Sequence, residues 1–165
     1  VAEEQTELAS IVYWQLGSLA SILGRELWAI LPVFLVCSTL LLLLSWRVNI
    51  LSFGDLEART LGVNVRQVRT IVIICASLLT ASAVSISGTI GWVGLVIPHL
   101  SRLLSGSDNT RSMPITLLIG AIFMLLIDTL ARTVSSVEIP LSILTGFVGA
   151  PLYALLLYKQ RTRLE

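Results

Sequence analysis

The run AILPVFLVCSTLLLLLSW, residues 29–46, holds no charged side chain and no glycine. A helix over it is about 27 Å long at roughly 1.5 Å per residue, close to the hydrocarbon core of a bilayer. In hydrocarbon every backbone N–H and C=O must be satisfied within the protein, which restricts a spanning segment to a helix or a closed barrel. An unbroken apolar run of this length, without strand-like alternation, selects the helix. Three more apolar runs follow, at 71–98, 115–131 and 139–158.

Composition agrees. Across 165 residues, 55% are hydrophobic and only 13% are charged, with a mean hydropathy of +0.90. Soluble domains carry about 25% charged residues, so this chain cannot cover a water-facing surface. It reads as an all-α integral membrane protein. The net charge of +1 gives no electrostatic case for binding nucleic acid. Cys37 and Cys75 both lie inside apolar runs, where a thiol behaves as a small hydrophobe. Nothing about them suggests a disulfide framework.

Positive charge orders the crossings. Apart from Arg25 and Arg132, the eleven Lys and Arg residues form three clusters. These are Arg47, Arg59, Arg66 and Arg69; then Arg102 and Arg111; then Lys159, Arg161 and Arg163. Such clusters beside span ends mark the cytoplasmic side, so an even number of crossings separates each from the next. Between Arg69 and Arg102 the sequence SISGTIG (85–91) favours a turn, and the region reads as two tightly connected passes, the second short and containing Pro98. The predicted spans are about 29–46, 68–86, 90–104, 114–134 and 139–158. The loop 47–67 and the C-terminus then lie inside, and the N-terminus outside. The opening VAEEQTEL carries three Glu and no cation, as an external segment does, and 8–23 reads as a short outer helix. An external N-terminus without a signal-peptide pattern is hard to deliver unless earlier spans precede it, and the chain opens on Val1 rather than Met. It is therefore expected to be the C-terminal part of a longer membrane protein.

Few residues suggest chemistry. Within SFGDLEARTLGV (52–63), Ser52 and Asp55 resemble a helix-start cap, Asp55 and Arg59 have the i,i+4 spacing of an ion pair, and Gly62 suits a C-terminal cap. The expected element is a helix of two or three turns, either a solvated loop helix or a docking surface for a cytosolic partner. His99, the one histidine, is expected to hydrogen-bond a helix end, with a proton relay as the alternative. Asp128 and Arg132 are i,i+4 near the outer end of a span, either a local pair or an arginine reaching outward. The small residues between Ala76 and Gly88 permit close helix packing; a substrate path is the other reading. No phosphate-binding loop is present, and no paired carboxylates or Ser–His pair indicate an enzyme. GWVG (91–94) and GFVG (146–149) look alike but are too short to establish a repeat.

Five ordered stretches carry a family resemblance. They are YWQLGSL (13–19), NILSFGDLEARTLGVNVRQVR (49–69), GTIGWVGLVIPHLSRLLSGSDNTR (88–111), LLIDTLART (125–133) and EIPLSILTGFVGAPLYALLL (138–157). Together they resemble the iron-siderophore and vitamin B12 type (FecCD-like) of ABC-transporter permease, over essentially the whole chain. Members have about twice this length, and residues 1–165 are similar to their C-terminal half. The resemblance implies a bundle of about five transmembrane helices with short cytoplasmic coupling helices, in a bacterial cytoplasmic membrane. It implies import of an iron-siderophore, haem or cobalamin, driven by ATP hydrolysed in separate cytosolic subunits. The implied partners are two ABC ATPase subunits, a periplasmic or lipid-anchored binding protein, a second permease copy, the missing N-terminal half and membrane lipid, with no cofactor or metal of its own. Gly54, Asp55, Glu57, Ala58, Arg59, Leu61 and Gly62 would form the ATPase-coupling element. Arg132 and Glu138 would dock the binding protein. The alternatives are an ion-coupled secondary transporter or channel, which would need more ionisable groups at mid-membrane depth, and an inactive half left by a split gene.

Overall fold

A computed structural model describes residues 8, 10–12, 14–19, 22, 24–134 and 139–161, with side chains as far as 158. Its helices are α1 (Gly24–Leu51), α2 (Asp55–Thr60), α3 (Val65–Ser87), α4 (Val93–Ser105), α5 (Asn109–Val134) and α6 (Leu141–Arg161). Ahead of them, Leu8, Ser10–Val12, Trp14 and Gln15 are also helical. No strand occurs among the described residues.

The helices α1, α3, α5 and the Leu141–Tyr158 part of α6 are long and apolar enough to cross a membrane. α1 has 28 residues and so measures about 42 Å, well beyond the apolar run at 29–46, and it carries Arg47 and Asn49 past the bilayer-length segment. α4 has 13 residues, about 20 Å, too short for a ~30 Å core. The short pass expected around Pro98 is this helix, which starts at Val93 and continues through the proline. Several hydroxyls of the described spans turn back onto their own helix: Thr80 donates to the Ala76 carbonyl at 2.8 Å, Thr116 to Ser112 at 2.7 Å and Thr129 to Leu125 at 2.7 Å. With no water in hydrocarbon, this is the nearest partner available.

Packing concentrates at the two ends. α1 lies chiefly along α3, α4 along α5, and α6 against α4 and α5. At one end Ile50, Ala58, Val63, Val65 and Val68 form a buried cluster joining α1, α2 and α3. At the other, Ile127, Ala131 and Leu141 are buried with Leu19, Ile90 and Phe123 around them. There the segment Leu16–Ser18 stitches two connections together. The Gly17 and Leu16 carbonyls accept the N–H groups of Leu141 and Ser142 at the start of α6 (3.0 and 3.1 Å), and Ser18 N–H donates to Ser87 O at 3.0 Å. These are orphan groups of helix termini, which must find partners. Gly88 lies in the crossing with φ +70, and a Cβ there would lie 2.1 Å from the Trp14 carbonyl oxygen. Only glycine fits.

The two look-alike segments meet. Trp92, between Gly91 and Val93, has φ 68, the one positive-φ residue other than glycine among the described residues. Its side chain packs on the glycines of GFVG in α6: a Cβ on Gly149 would come within 2.8 Å of Trp92 Cβ. The resemblance between GWVG and GFVG is a complementary contact rather than a repeat.

Candidate functional site

The element around residues 52–63 is built from its termini inward. After Leu51, α1 unwinds through i→i−3 bonds: Ser52, Phe53 and Gly54 N–H groups donate to the Asn49, Ile50 and Leu51 carbonyls at 3.1, 3.2 and 3.2 Å. Gly54 occupies the N-cap of α2, which has no side-chain cap. Ser52 does not serve as the cap expected from its spacing; its hydroxyl donates back to the Asn49 carbonyl at 2.6 Å, because α1 runs on to the residue before it. α2 has six residues, shorter than the two or three turns expected. It ends in two bonds, Gly62 N–H to Arg59 O and Val63 N–H to Ala58 O, both 3.0 Å. That Schellman pattern requires a left-handed residue, supplied by Gly62 at φ +77.

Asp55 does not pair with Arg59. Its carboxylate takes both terminal nitrogens of Arg69 on α3, Nη2 to Oδ1 at 2.9 Å and Nη1 to Oδ2 at 3.4 Å. α2 folds back across the first turns of α3, so the neighbouring helix offers the two-pronged geometry that favours guanidinium–carboxylate pairing. Arg59 makes no ion pair among the described residues.

The candidate residues divide by exposure. Ala58 is fully buried against Ile50, Val63, Val65 and Val68, so it seats the helix and cannot touch a partner. Asp55, Glu57, Arg59 and Leu61 face outward. Beside them stand two apolar residues the sequence reading left out of the site, Phe53 (72% exposed) and Leu56 (74%), with Leu61 at 64%. Their i, i+3 spacing was the available signal. The result is a short helix anchored by one alanine and an Asp–Arg pair, presenting three large apolar side chains among Glu57 and Arg59.

At the opposite end, Arg132 Nε donates to Asp128 Oδ2 at 2.9 Å. The pair borders a crevice with Ser18, Leu19, Ile139 and Leu141. Glu138 lies outside the described residues. His99 does not make the expected helix-end bond through Nε2: that atom is buried without a hydrogen-bond partner among the described residues, and the ring stands edge-on to Tyr153 with centroids 6.2 Å apart. The packing of α4 against α6 brings the ring beside Tyr153. Cys37 and Cys75 are both buried and free. No group of three or more His, Cys, Asp or Glu could hold a metal among the described residues.

Apolar spanning helices of bilayer length, with one short apolar helix between them, make this a multi-pass membrane protein. The FecCD transport family model matches residues 1–159. The chain belongs to that family. It is 48% identical over 159 residues to the molybdate import system permease protein MolB of Haemophilus influenzae, covering 96% of this chain and 47% of that protein. It is 38% identical to the hemin transport system permease protein HmuU of Yersinia pestis, covering 98% of this chain and 48% of the relative. Identity to the cobalamin import system permease protein BtuC of Halobacterium salinarum is 37%, covering 99% and 44%. A solved structure described as an inward-facing conformation of an ABC transporter assigned to the metal-chelate type superposes with a TM-score of 0.89 at 50% identity, over 92% of this chain and 49% of that one. The chain thus spans about half the length of the curated relatives it matches.

Proposed function

We propose that this chain is the C-terminal half of the permease subunit of an ATP-driven importer, and that α2 is its contact with a cytosolic ATPase. The observation that carries this reading is the build of α2 itself. A buried Ala58 seats the helix and a two-pronged ion pair aims it, while Phe53, Leu56 and Leu61 are exposed beside charged residues. Apolar side chains exposed at a polar end of a membrane protein favour a protein partner. The arginine clusters favour the cytoplasm for this end and for the C-terminus. With no phosphate-binding loop in the chain, ATP hydrolysis belongs to the partner. The substrate is a metal chelate or metal oxyanion, of the kind for which the relatives are named. Arg132, half-exposed at the other end, together with Glu138, would receive the binding protein that delivers it.

The other half of the permease fits the open faces of this one. Ala76, Ser77, Thr80 and Ala81 of α3 are exposed, although small residues of this kind serve close helix approach. A groove of about 430 Å³ between α1, α3, α4 and α5, walled by Phe34, Leu41, Leu79 and Met113, is wide enough for side chains of a further helix. A second permease copy completes the transport path. Cross-linking from residue 59 to a co-expressed ATPase subunit tests the central claim. A cross-link whose yield changes with nucleotide is expected, and its absence in every nucleotide state would sink the reading.

A further inference from the structure

Asn49 lies in the last turn of α1, just before the residues that lead into α2. Its side chain crosses to the connection between α4 and α5. Nδ2 donates to Asp108 Oδ1, and Oδ1 accepts the Asn109 N–H at 2.8 Å. One amide therefore holds a carboxylate and a backbone group some 60 residues away in sequence. Asp108 is in turn the cap of α5. Its Oδ1 accepts from Thr110 N–H (2.9 Å) and the Thr110 hydroxyl (2.7 Å), and its carbonyl accepts Ser112 N–H at 2.8 Å. Behind it, the fully buried Ser101 of α4 donates to the Ser112 carbonyl at 2.9 Å. The end of α4 and the start of α5 are thus one hydrogen-bonded unit, gripped by Asn49.

We infer that the Asn49–Asp108 clamp is the strut that carries a displacement of α2 into α4 and α5. α2 is joined to α1 through Ser52–Gly54 and packed on Ile50 through Ala58, so a push on α2 moves the inner end of α1. Leu44, Val48 and Ile50 of α1 pack on their neighbours as apolar side chains, which resist separation but fix no direction. Two hydrogen bonds from a single amide fix both distance and orientation. The Asp108 carboxyl titrates below the ordinary carboxylate range, first because of the Thr110 hydroxyl, then the Thr110 N–H and Asn49, so the acceptor stays charged. Asn49 and Asp108 are positioning residues; neither belongs to the surface assigned to the ATPase. The inference rests on the reading that α2 engages that ATPase.

The test exchanges the two groups. Asn49→Asp sets carboxylate against carboxylate, whereas the double variant N49D/D108N restores an amide–carboxylate bond with donor and acceptor reversed. The readout is substrate imported per ATP hydrolysed by the full assembly, with ATPase and binding protein, in proteoliposomes supplied with molybdate, haemin, cobalamin or a ferric siderophore. N49D is expected to lower that ratio roughly five- to tenfold while the ATPase stays bound and hydrolysis continues, and the exchange variant to recover most of it. Wild-type import with an unchanged ratio in N49D overturns the strut alone. Failure of both variants to assemble also overturns it, since the contact then serves folding only. A wild-type assembly that imports none of these substrates under ATP overturns the permease reading, and the strut with it.

Discussion

Arg69 of α3 grips Asp55 of α2 with both terminal guanidinium nitrogens, at 2.9 and 3.4 Å, and so ties the start of one helix to the second turn of another. The side chains are 55% and 51% exposed. Solvent screening therefore limits the pair to under about 1 kcal/mol of stability, and its value lies in aiming α2. Arg69→Ala is expected to leave the thermal unfolding of the purified protein nearly unchanged while weakening its association with the ATPase. The charge exchange D55R/R69D is expected to recover that association. Pull-down across the double-mutant cycle checks both statements.

Ala58 and Leu56 are expected to separate stability from docking. Ala58 has no free surface, so Ala58→Leu overpacks the cluster of Ile50, Val63, Val65 and Val68 and costs about 1–3 kcal/mol. Leu56, 74% exposed, becomes alanine within about 0.5 kcal/mol of stability. The same change removes an apolar anchor, so ATPase binding falls about tenfold or more. Thermal unfolding and titration of the ATPase subunit, done on both variants, show whether the two properties part in this way.

Gly149→Ala tests the contact with Trp92. The added methyl would lie 2.8 Å from Trp92 Cβ, which is backbone-anchored and cannot swing aside. A loss of about 1–3 kcal/mol is expected. Trp92→Gly in the same chain removes the opposing Cβ and the positive-φ strain at 68° together. The double variant is therefore expected to be less destabilised than the two single losses summed, and additive losses would refute the contact.

Acid is expected to release the α5 cap. The folded pKa of Asp108 is lowered, with Thr110 the main cause. Its contribution is therefore fully present above the unfolded carboxylate value of about 3.9 and is lost as pH falls through the folded value. The stability difference between wild type and Asp108→Ala, measured by thermal unfolding, should hold steady from pH 7 to about pH 5 and shrink below about pH 4. A difference independent of pH down to 3 would show that the carboxylate charge contributes nothing there.

Much of the fold was legible because bilayer burial is one-dimensional. Length and hydropathy along the chain suffice to mark α1, α3, α5 and α6, and the Gly–Ser turn at 85–91 divided α3 from the short α4. Gly62 announced its left-handed cap for the same reason: the demand on that residue is local. The spacing of Asp128 and Arg132, one turn apart on one helix, allowed either a local pair or an arginine reaching outward, and the pair is what forms.

What lay beyond the sequence was every choice of partner between elements. Local spacing joined Asp55 to Arg59, yet the carboxylate reaches Arg69, because the fold-back of α2 presents a better fork than its own helix does. Ser52 looked like a cap, but α1 runs on to Leu51 and the Ser52 hydroxyl turns back to Asn49 O. Asn49 and Asp108 each read as ordinary residues at a helix end, and only the packing of α1 beside α5 sets them face to face. Hydrophobic periodicity and cap chemistry act within one element and are written in its residues. Pairings across elements depend on how rigid helices settle against one another, and that was decided by the tertiary structure.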